Sequence, residues 1–235
     1  MAKSFQGFPK DLFKFLTDLK ANNDRDWFNA SKPRYRESVV EPMSAFITAM
    51  DTGLAKVSDC FIADPRPHGG SMFRIYRDTR FSHDKNPYKE HVACQFRHMA
   101  GKSAHAPGFY VHLAPDEVLF GGGIWMPDNS VLNEIRTAIV DDSDRWKKVS
   151  SGRAFRNRFG GVRGDGLKRP PKGFDPDHPF VEDLKRKSFF AMQEVPPKMA
   201  TTPDFIKEVQ RAFVAMAPFM QFLTDAVGVS FSLDE

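Results

Sequence analysis

Phe109-Tyr110-Val111-His112-Leu113 is the stretch that decides the fold, together with Val118-Leu119-Phe120 a few residues later. Apolar and polar residues alternate in the first segment, which is typical of a strand with one face in the core. The connection between the two segments is too short to hold a crossover helix, so we expect two antiparallel strands. An antiparallel sheet is therefore predicted at the centre of the fold.

Similar short segments, rich in aromatic and β-branched residues, lie on both sides of this pair. Pro, Gly and His residues separate them, as expected of turns between strands. The candidates are Cys60 to Ala63, Met72 to Arg77, His91 to Arg97, and Val118 continued through Gly121-Gly122-Gly123 to Trp125. They predict a mainly antiparallel sheet of about five strands within residues 58–125, and Phe189 to Met192 is a further candidate strand.

Helical periodicity precedes the sheet region. After Pro9, apolar residues recur every three or four positions through Leu19, which predicts an amphipathic first helix. Asp24 is placed to cap a second helix. A third helical pattern runs over residues 33–50, and Pro42 inside it should kink or split the helix.

Helices are also predicted after the sheet. Pro127-Asp-Asn-Ser130 opens one, and Thr202, as the cap before Pro203, opens the last. Residues 152–173 are rich in Gly, Arg and Pro and predict a long basic loop with short ordered pieces. We therefore expect an α+β fold, a single domain over residues 1–235 whose central, mainly antiparallel sheet is flanked by N- and C-terminal helices.

Composition narrows the class of protein. The 235 residues are enough to bury a large core, which 23 Phe should dominate. No window approaches the roughly 18 apolar residues of a membrane helix, so we expect a cytoplasmic protein without a membrane partner. Cys60 and Cys94 are too few for a disulfide framework and are interpreted as buried free thiols. Neither a cofactor nor a metal is predicted.

The positive charge is unevenly distributed. The net charge is only +4, yet residues 145–172 contain ten basic residues and a single acid, Asp165. Clustered Lys and Arg side chains neutralise phosphates, which favours nucleic acid or a phosphorylated ligand as partner. A solvated basic surface is the alternative interpretation.

A dense group of charged and aromatic residues occupies Arg74 to Lys89. It contains five basic side chains and two carboxylates: Arg74, Arg77, Arg80, Lys85 and Lys89 with Asp78 and Asp84. Arginine is suited to bidentate binding of phosphate or carboxylate groups. We therefore predict an anion-binding site for a phosphate-containing ligand, either a nucleotide or nucleic acid.

The predicted ligand-binding residues come from two segments. They are Arg74, Arg77, Arg80, Lys85 and Tyr88 of the first, with Lys168, Arg169 and Lys172 of the basic loop closing over them. One alternative is a hydrolase or transferase in which Asp78 or Asp84 acts as a general acid or base. A second is a structural ion network in a protein-interaction module, in which both aspartates neutralise the arginines.

Two other patterns favour structural roles. Gly121-Gly122-Gly123 follows a strand but lacks the Lys-Ser/Thr that completes a P-loop, so a bulge or a close backbone contact is expected. Four histidines are spaced by seven residues, but predicted loops and strands interrupt the series, which argues against a common metal site. They are His91, His98, His105 and His112.

The charged segment also carries a family resemblance. Its pattern, Arg74-x-x-Arg77-Asp78-x-Arg80-Phe81-x-x-Asp84-Lys85-x-Pro87-Tyr88, resembles the defining motif of domain of unknown function family 2461, which is largely bacterial and fungal. Further similar features are Asn22 to Arg25 with Trp27-Phe28, Gly121 to Gly123, Leu167 to Phe174 and His178-Pro179. The resemblance covers nearly the whole chain and implies a single-domain fold of mixed helix and sheet. It implies no activity, substrate or cofactor.

Overall fold

A five-stranded antiparallel sheet forms the centre of the molecule. The structure, a computed structural model, describes residues 5–80, 82–101 and 106–232. The strands are β1 (Phe61–Ile62), β2 (Val92–His98), β3 (Gly108–Leu113), β4 (Val118–Ile124) and β5 (Phe189–Val195), and they neighbour each other in chain order. Every pairing is antiparallel, which confirms the sheet predicted from the alternating segments and their short connections.

Helices precede and follow the strands along the chain, so the predicted α+β class is confirmed. They are α1 (Lys10–Ala21), α2 (Arg25–Tyr35), α3 (Glu41–Leu54), α4 (Asn129–Asp141), α5 (Ser143–Ser151), α6 (Arg153–Phe159), α7 (Val181–Leu184) and α8 (Asp204–Ala226). A π-helical segment, Arg36–Val40, joins α2 to α3, and a 3₁₀ turn, Pro197–Thr201, precedes α8. No helix within the described ranges is long and apolar enough to cross a membrane.

Two of the predicted helix starts have different outcomes. The side chain of Asp24 accepts hydrogen bonds from the backbone N–H groups of Asp26 and Trp27, both at 2.9 Å, so the predicted cap of α2 is confirmed. Thr202 was predicted to cap α8, but its hydroxyl instead donates to the carbonyl of Met199 at 2.8 Å. Pro203 occupies the cap position of α8, so this prediction is wrong.

The membership of the sheet differs from the prediction in one strand. The fifth strand is β5, which lies outside residues 58–125, whereas the segment from Met72 to Arg77 makes only isolated bridges. Phe73 donates to the carbonyl of Ala93 in β2, but Arg77 then donates to Pro87. The chain therefore leaves the sheet after Phe73 and pairs with its own continuation.

The core lies on one face of the sheet, between its strands and α8. Phe109 of β3 stacks on Phe213 of α8 with ring centroids 4.3 Å apart, and Phe120 packs edge-on against Phe205. Phenylalanine-rich packing of this kind removes a large apolar area from water, which is the main stabilising contribution to the fold. Cys94 is buried here and Cys60 nearby, and neither forms a disulfide, as predicted.

The three glycines of β4 allow the close approach of β5. A Cβ on Gly121 would collide with the carbonyl of Ala191 and lie 2.7 Å from the sulfur of Met192. Gly123 has a φ of 138°, which side-chain-bearing residues rarely adopt. The strand register is continuous on both sides of β4, so the predicted close backbone contact is confirmed and no bulge is present at these glycines.

Candidate anion-binding site

The described residues from Arg74 to Lys89 form a hairpin that is anchored to the N-terminal helices. Arg77 donates its backbone N–H to Pro87 at 2.9 Å, and Lys89 donates its own to Ile75 at 2.8 Å. Asn23, in the turn before α2, accepts from the backbone N–H of Tyr88 and donates to its carbonyl, both at 3.1 Å. The hairpin therefore has a fixed position against the helical layer, although its sequence is rich in charges.

Each aspartate of the hairpin holds one arginine. Asp78 accepts hydrogen bonds from Nε and Nη2 of Arg80 at 2.9 and 2.6 Å, and these bonds lower the pKa of the Asp78 carboxyl to about 2. Asp84 forms an ion pair with Arg77. The pKa of the Asp84 carboxyl is lowered too, first by the hydrogen bond from the backbone N–H of Asn86 and then by the Arg77 guanidinium.

Three cations of the hairpin have no carboxylate partner among the described residues. Lys85 donates through Nζ to the carbonyl of Thr79 at 3.0 Å, and Lys89 donates to the carbonyl of Arg74 at 2.8 Å. The ammonium of Lys89 also lies over the ring of Phe73, 5.4 Å from its centroid. Arg74 is exposed, and its guanidinium contacts no acceptor in the part of the chain that the structure describes.

Arg74 lines a cavity of about 400 Å³ between the hairpin and α2. Lys32, Arg36 and His68 line the same cavity, and none of its described lining residues is acidic. Phe28, Tyr35 and Tyr76 supply aromatic walls. The cavity therefore combines a concentration of positive charge with apolar surface.

The helix geometry explains why two of these cations lie together. Lys32 and Arg36 are four residues apart, across the junction of α2 with the π-helical segment, and so project from one side. Arg36 is also paired with Glu41 at 3.2 Å, but both side chains are exposed, so this pair is weak. π-Helical segments are frequent at functional sites. The (i, i+4) spacing of Lys32 and Arg36 can be recognised in the sequence, but their proximity to Arg74 cannot.

The structure does not bring the predicted ligand-binding residues of the basic loop close to Arg74. Met72 is bridged to Cys94 at the outer side of β2, whereas Arg163 is bridged to Phe190 of β5. These two positions are at opposite edges of the sheet, roughly 24 Å apart at about 4.8 Å per strand. Three exposed residues follow Arg163 beyond the β5 edge: Lys168, Arg169 and Lys172.

The fold does not bring the other predicted residues together at one site either. Tyr88 is buried in the core and does not line the cavity of Arg74, and Phe81 and His105 lie outside the described residues. The rings of His91 and His112 lie 4.3 Å apart, whereas His98 bonds the carbonyl of Ser230 on the other face of the sheet. Within residues 5–80, 82–101 and 106–232, no three His, Cys, Asp or Glu side chains are grouped as metal ligands.

The sequence of the chain matches the model of a protein family. The model of a family described as a conserved hypothetical protein, DUF2461, matches residues 11–222. The matched range includes the hairpin, α2 and the cavity between them. No curated protein matches the chain.

Proposed function

The chain belongs to the DUF2461 family of conserved hypothetical proteins, and we propose that it binds a small phosphate-containing ligand in the cavity lined by Arg74. The observation that carries this proposal is the cavity's charge: Lys32, Arg36 and Arg74 line it and no described acidic residue does. Arginine and lysine bind phosphate through charge-assisted hydrogen bonds, which are stronger than neutral ones. Arg74 is available for such bonds because it has no partner in the described residues.

The dimensions of the cavity favour a small molecule over nucleic acid. Its volume of about 400 Å³ is within the range of ligand pockets, roughly 300–1,000 Å³. The aromatic walls suit the base of a nucleotide, and the cations suit its phosphates. Nucleic acid would need a longer basic track, and the predicted partner surface of Lys168, Arg169 and Lys172 lies at the other edge of the sheet.

The hydrolase or transferase alternative has less support from the geometry. A general base near neutral pH is most effective with a pKa close to the working pH. The pKa values of Asp78 and Asp84 are instead lowered, that of Asp78 mainly by its hydrogen bonds from Arg80 and that of Asp84 first by the backbone N–H of Asn86 and then by Arg77. The pairing of Arg77 with Asp84 and of Arg80 with Asp78 is what the structural-network alternative expects. Neither arginine lines the cavity of Arg74, so we leave both out of the proposed ligand site.

Thermal unfolding and calorimetric titration with inorganic pyrophosphate and AMP test the proposal. A ligand that binds the native state should raise the melting temperature of the wild type. Arg74→Gln should weaken binding by about tenfold or more, because a charge-assisted hydrogen bond contributes about 1.5–3 kcal/mol. Arg80→Gln is the matched control and should bind normally, since Arg80 does not line the cavity.

Three outcomes would contradict this proposal. They are the absence of binding by the wild type, equal losses in Arg74→Gln and Arg80→Gln, and undiminished binding by Arg74→Gln. A steep decrease of affinity with salt, lost in Lys168→Gln, would favour nucleic acid at the basic loop instead. Product formation that Asp78→Asn or Asp84→Asn abolishes, with binding retained, would favour the enzyme alternative.

A further inference from the structure

The face of the sheet opposite α8 carries a groove of about 570 Å³. Two rows of directly paired residues cross this face, and each row contains one residue from each of four strands. The first row is Gln95, Tyr110, Gly121 and Met192, and the second is Arg97, Gly108, Gly123 and Phe190. Gly108 and Gly123 are neighbours in the second row, so the backbone of β3 and β4 forms the floor of the groove there.

Aromatic side chains stand around this floor. Phe73 and Tyr110 pack edge-on with centroids 6.0 Å apart, and Trp125 and Phe190 form a second pair with centroids 5.0 Å apart. All four line the groove, and its described lining residues carry no charge. The groove is therefore a slot with a backbone floor between aromatic walls, roughly 14 Å across from β2 to β5 at about 4.8 Å per strand.

Trp125 is held in an exposed position at the rim. The residue is 68% exposed, although a tryptophan of a folded protein is highly buried on average. The next residue, Met126, has a φ of 45°, which a side-chain-bearing residue adopts at a cost in energy. The backbone N–H of Met126 donates to the hydroxyl of Ser188 at 2.9 Å and fixes this conformation. The local backbone is thus ordered in a strained form that keeps the indole at the groove.

The polar groups of the groove are few and defined. The hydroxyl of Tyr110 lies 3.1 Å from Nδ1 of His112, and Gln95 supplies an amide. Burial raises the pKa of Tyr110 to about 12, so the hydroxyl is neutral and able to donate or accept one hydrogen bond. The strands under the groove have their backbone groups engaged with each other, so a peptide cannot bind here by adding a strand.

We propose that this groove is a second ligand site, for an uncharged planar aromatic compound that lies on the glycine floor and bonds to Tyr110. The floor without side chains at Gly108 and Gly123 and the four aromatic side chains favour a ring over an aliphatic chain, because aromatic rings gain energy from offset and edge-to-face contacts. No described lining residue of the groove is charged, whereas Lys32, Arg36 and Arg74 line the other cavity, and the two sites adjoin at Phe73, which lines both. The groove's volume of about 570 Å³ is within the range of small-molecule sites and is large enough to admit a fused-ring compound.

Titration of the full chain with 2-naphthol and with 2-decalol tests the proposal. The two alcohols share one carbon skeleton, but only the first is planar and aromatic. The three tryptophans give three indole N–H signals in a proton–nitrogen correlation spectrum, and Trp125→Phe identifies that of Trp125. We expect 2-naphthol to shift the Trp125 signal saturably, with little effect on the signals of the buried Trp146 and of Trp27, and 2-decalol to leave all three unchanged.

Variants locate the site independently of the anion proposal. Trp125→Ala should weaken 2-naphthol binding, measured by equilibrium dialysis, by about three- to tenfold, the equivalent of one aromatic pair. Ile62→Ala removes another exposed apolar side chain and should bind normally, as should Arg74→Gln. Absence of a saturable shift up to the solubility limit, equal binding of 2-decalol, or normal binding by Trp125→Ala would each overturn the proposal.

Discussion

Tyr88 stacks on Phe28 with ring centroids 4.1 Å apart and ring planes 24° from parallel. This contact joins the charged hairpin to α2, the helix that carries Lys32 at the cavity of Arg74. Tyr88 is only 3% exposed, so its ring serves the packing of the hairpin. The relative position of the cations in the cavity therefore depends on an aromatic contact between the two elements that supply them.

Removal of the Tyr88 ring should destabilise the protein strongly. We expect Tyr88→Ala to lower the free energy of unfolding by about 3–5 kcal/mol, as for other large-to-small core substitutions. Tyr88→Phe retains the stack and should change it by less than about 1.5 kcal/mol. Urea unfolding measures both values. A Tyr88→Ala protein of wild-type stability would show that the stack does not hold the hairpin.

Asn23 should matter more than its neighbour Asn22. Asn23→Ala leaves the backbone N–H and carbonyl of Tyr88 without their side-chain partners, at a cost of about 1–3 kcal/mol. Asn22→Ala removes one exposed hydrogen bond, to the carbonyl of Asp18, and is the control with a smaller effect. Hydrogen exchange of the Tyr88 amide should accelerate only in Asn23→Ala. Equal exchange in the two variants would refute this role of Asn23.

The ion cluster of Arg34 predicts a loss of stability in acid. Arg34 donates to Asp11 at 2.7 and 2.9 Å, and this interaction lowers the pKa of the Asp11 carboxyl from 3.8 to about 2. Because the folded-state pKa is the lower one, the contribution of Asp11 is present above about pH 4 and is lost as the pH falls through 2. The difference in unfolding free energy between wild type and Asp11→Asn should therefore shrink over this range, whereas a constant difference would contradict the assignment.

Protonation of His91 should cause a second loss of stability, at a higher pH than that of Asp11. Burial, followed by the nearby charges of His112, Lys89 and Arg77, lowers the pKa of His91 from 6.5 to about 4. The unfolded state then binds the proton first, so stability is lost as the pH falls from 6.5 to 4, by about 1–2 kcal/mol after allowance for the partial exposure of the ring. His91→Gln should flatten this decrease, and NMR titration measures the pKa directly. A His91 pKa near 6.5 would exclude this effect.

Gly121 and Gly166 should respond differently to the same substitution. In Gly121→Ala the added methyl collides with the backbone of β5, so we expect a loss of about 1–3 kcal/mol or more. In Gly166→Ala the new methyl would meet the side chain of Lys185 at 3.8 Å, an ordinary contact, and the protein should retain its stability. Equal thermal stability of the two variants would show that β5 can move away from β4.

Local patterns predicted most of the elements, and contacts between distant residues account for the rest. The alternation from Phe109 to Leu113 gives β3 directly, because the period of a strand is a local property. The pairing of β4 with β5 follows from no such period, since the two strands are far apart in sequence. Met72 to Arg77 has the composition of a strand but folds onto Pro87 and Tyr88, so tertiary packing overrides local propensity there.

Only part of the candidate site could be predicted from the sequence, because some of its contacts are local and others join residues far apart in the chain. The pairings of Asp78 with Arg80 and of Asp84 with Arg77 link residues close in sequence, and the ion-network interpretation anticipated such pairs. The approach of Lys32 to Arg74 depends on Asn23, 65 positions before Tyr88, and on the stack of Tyr88 with Phe28. No spacing rule relates residues that far apart.

β4 and β5 pair in the sheet but are far apart in sequence, so β4 is synthesised well before its partner. β1 to β4 can pair as soon as they emerge, but residues 125–188 must follow before β5 appears. At about 5–20 residues per second, this interval lasts roughly 3–13 s. An unpaired strand edge is a site for aggregation, and glycine is among the residues least suited to strands. We therefore expect Gly121-Gly122-Gly123 to weaken the pairing of this unfinished edge with other chains until β5 is synthesised.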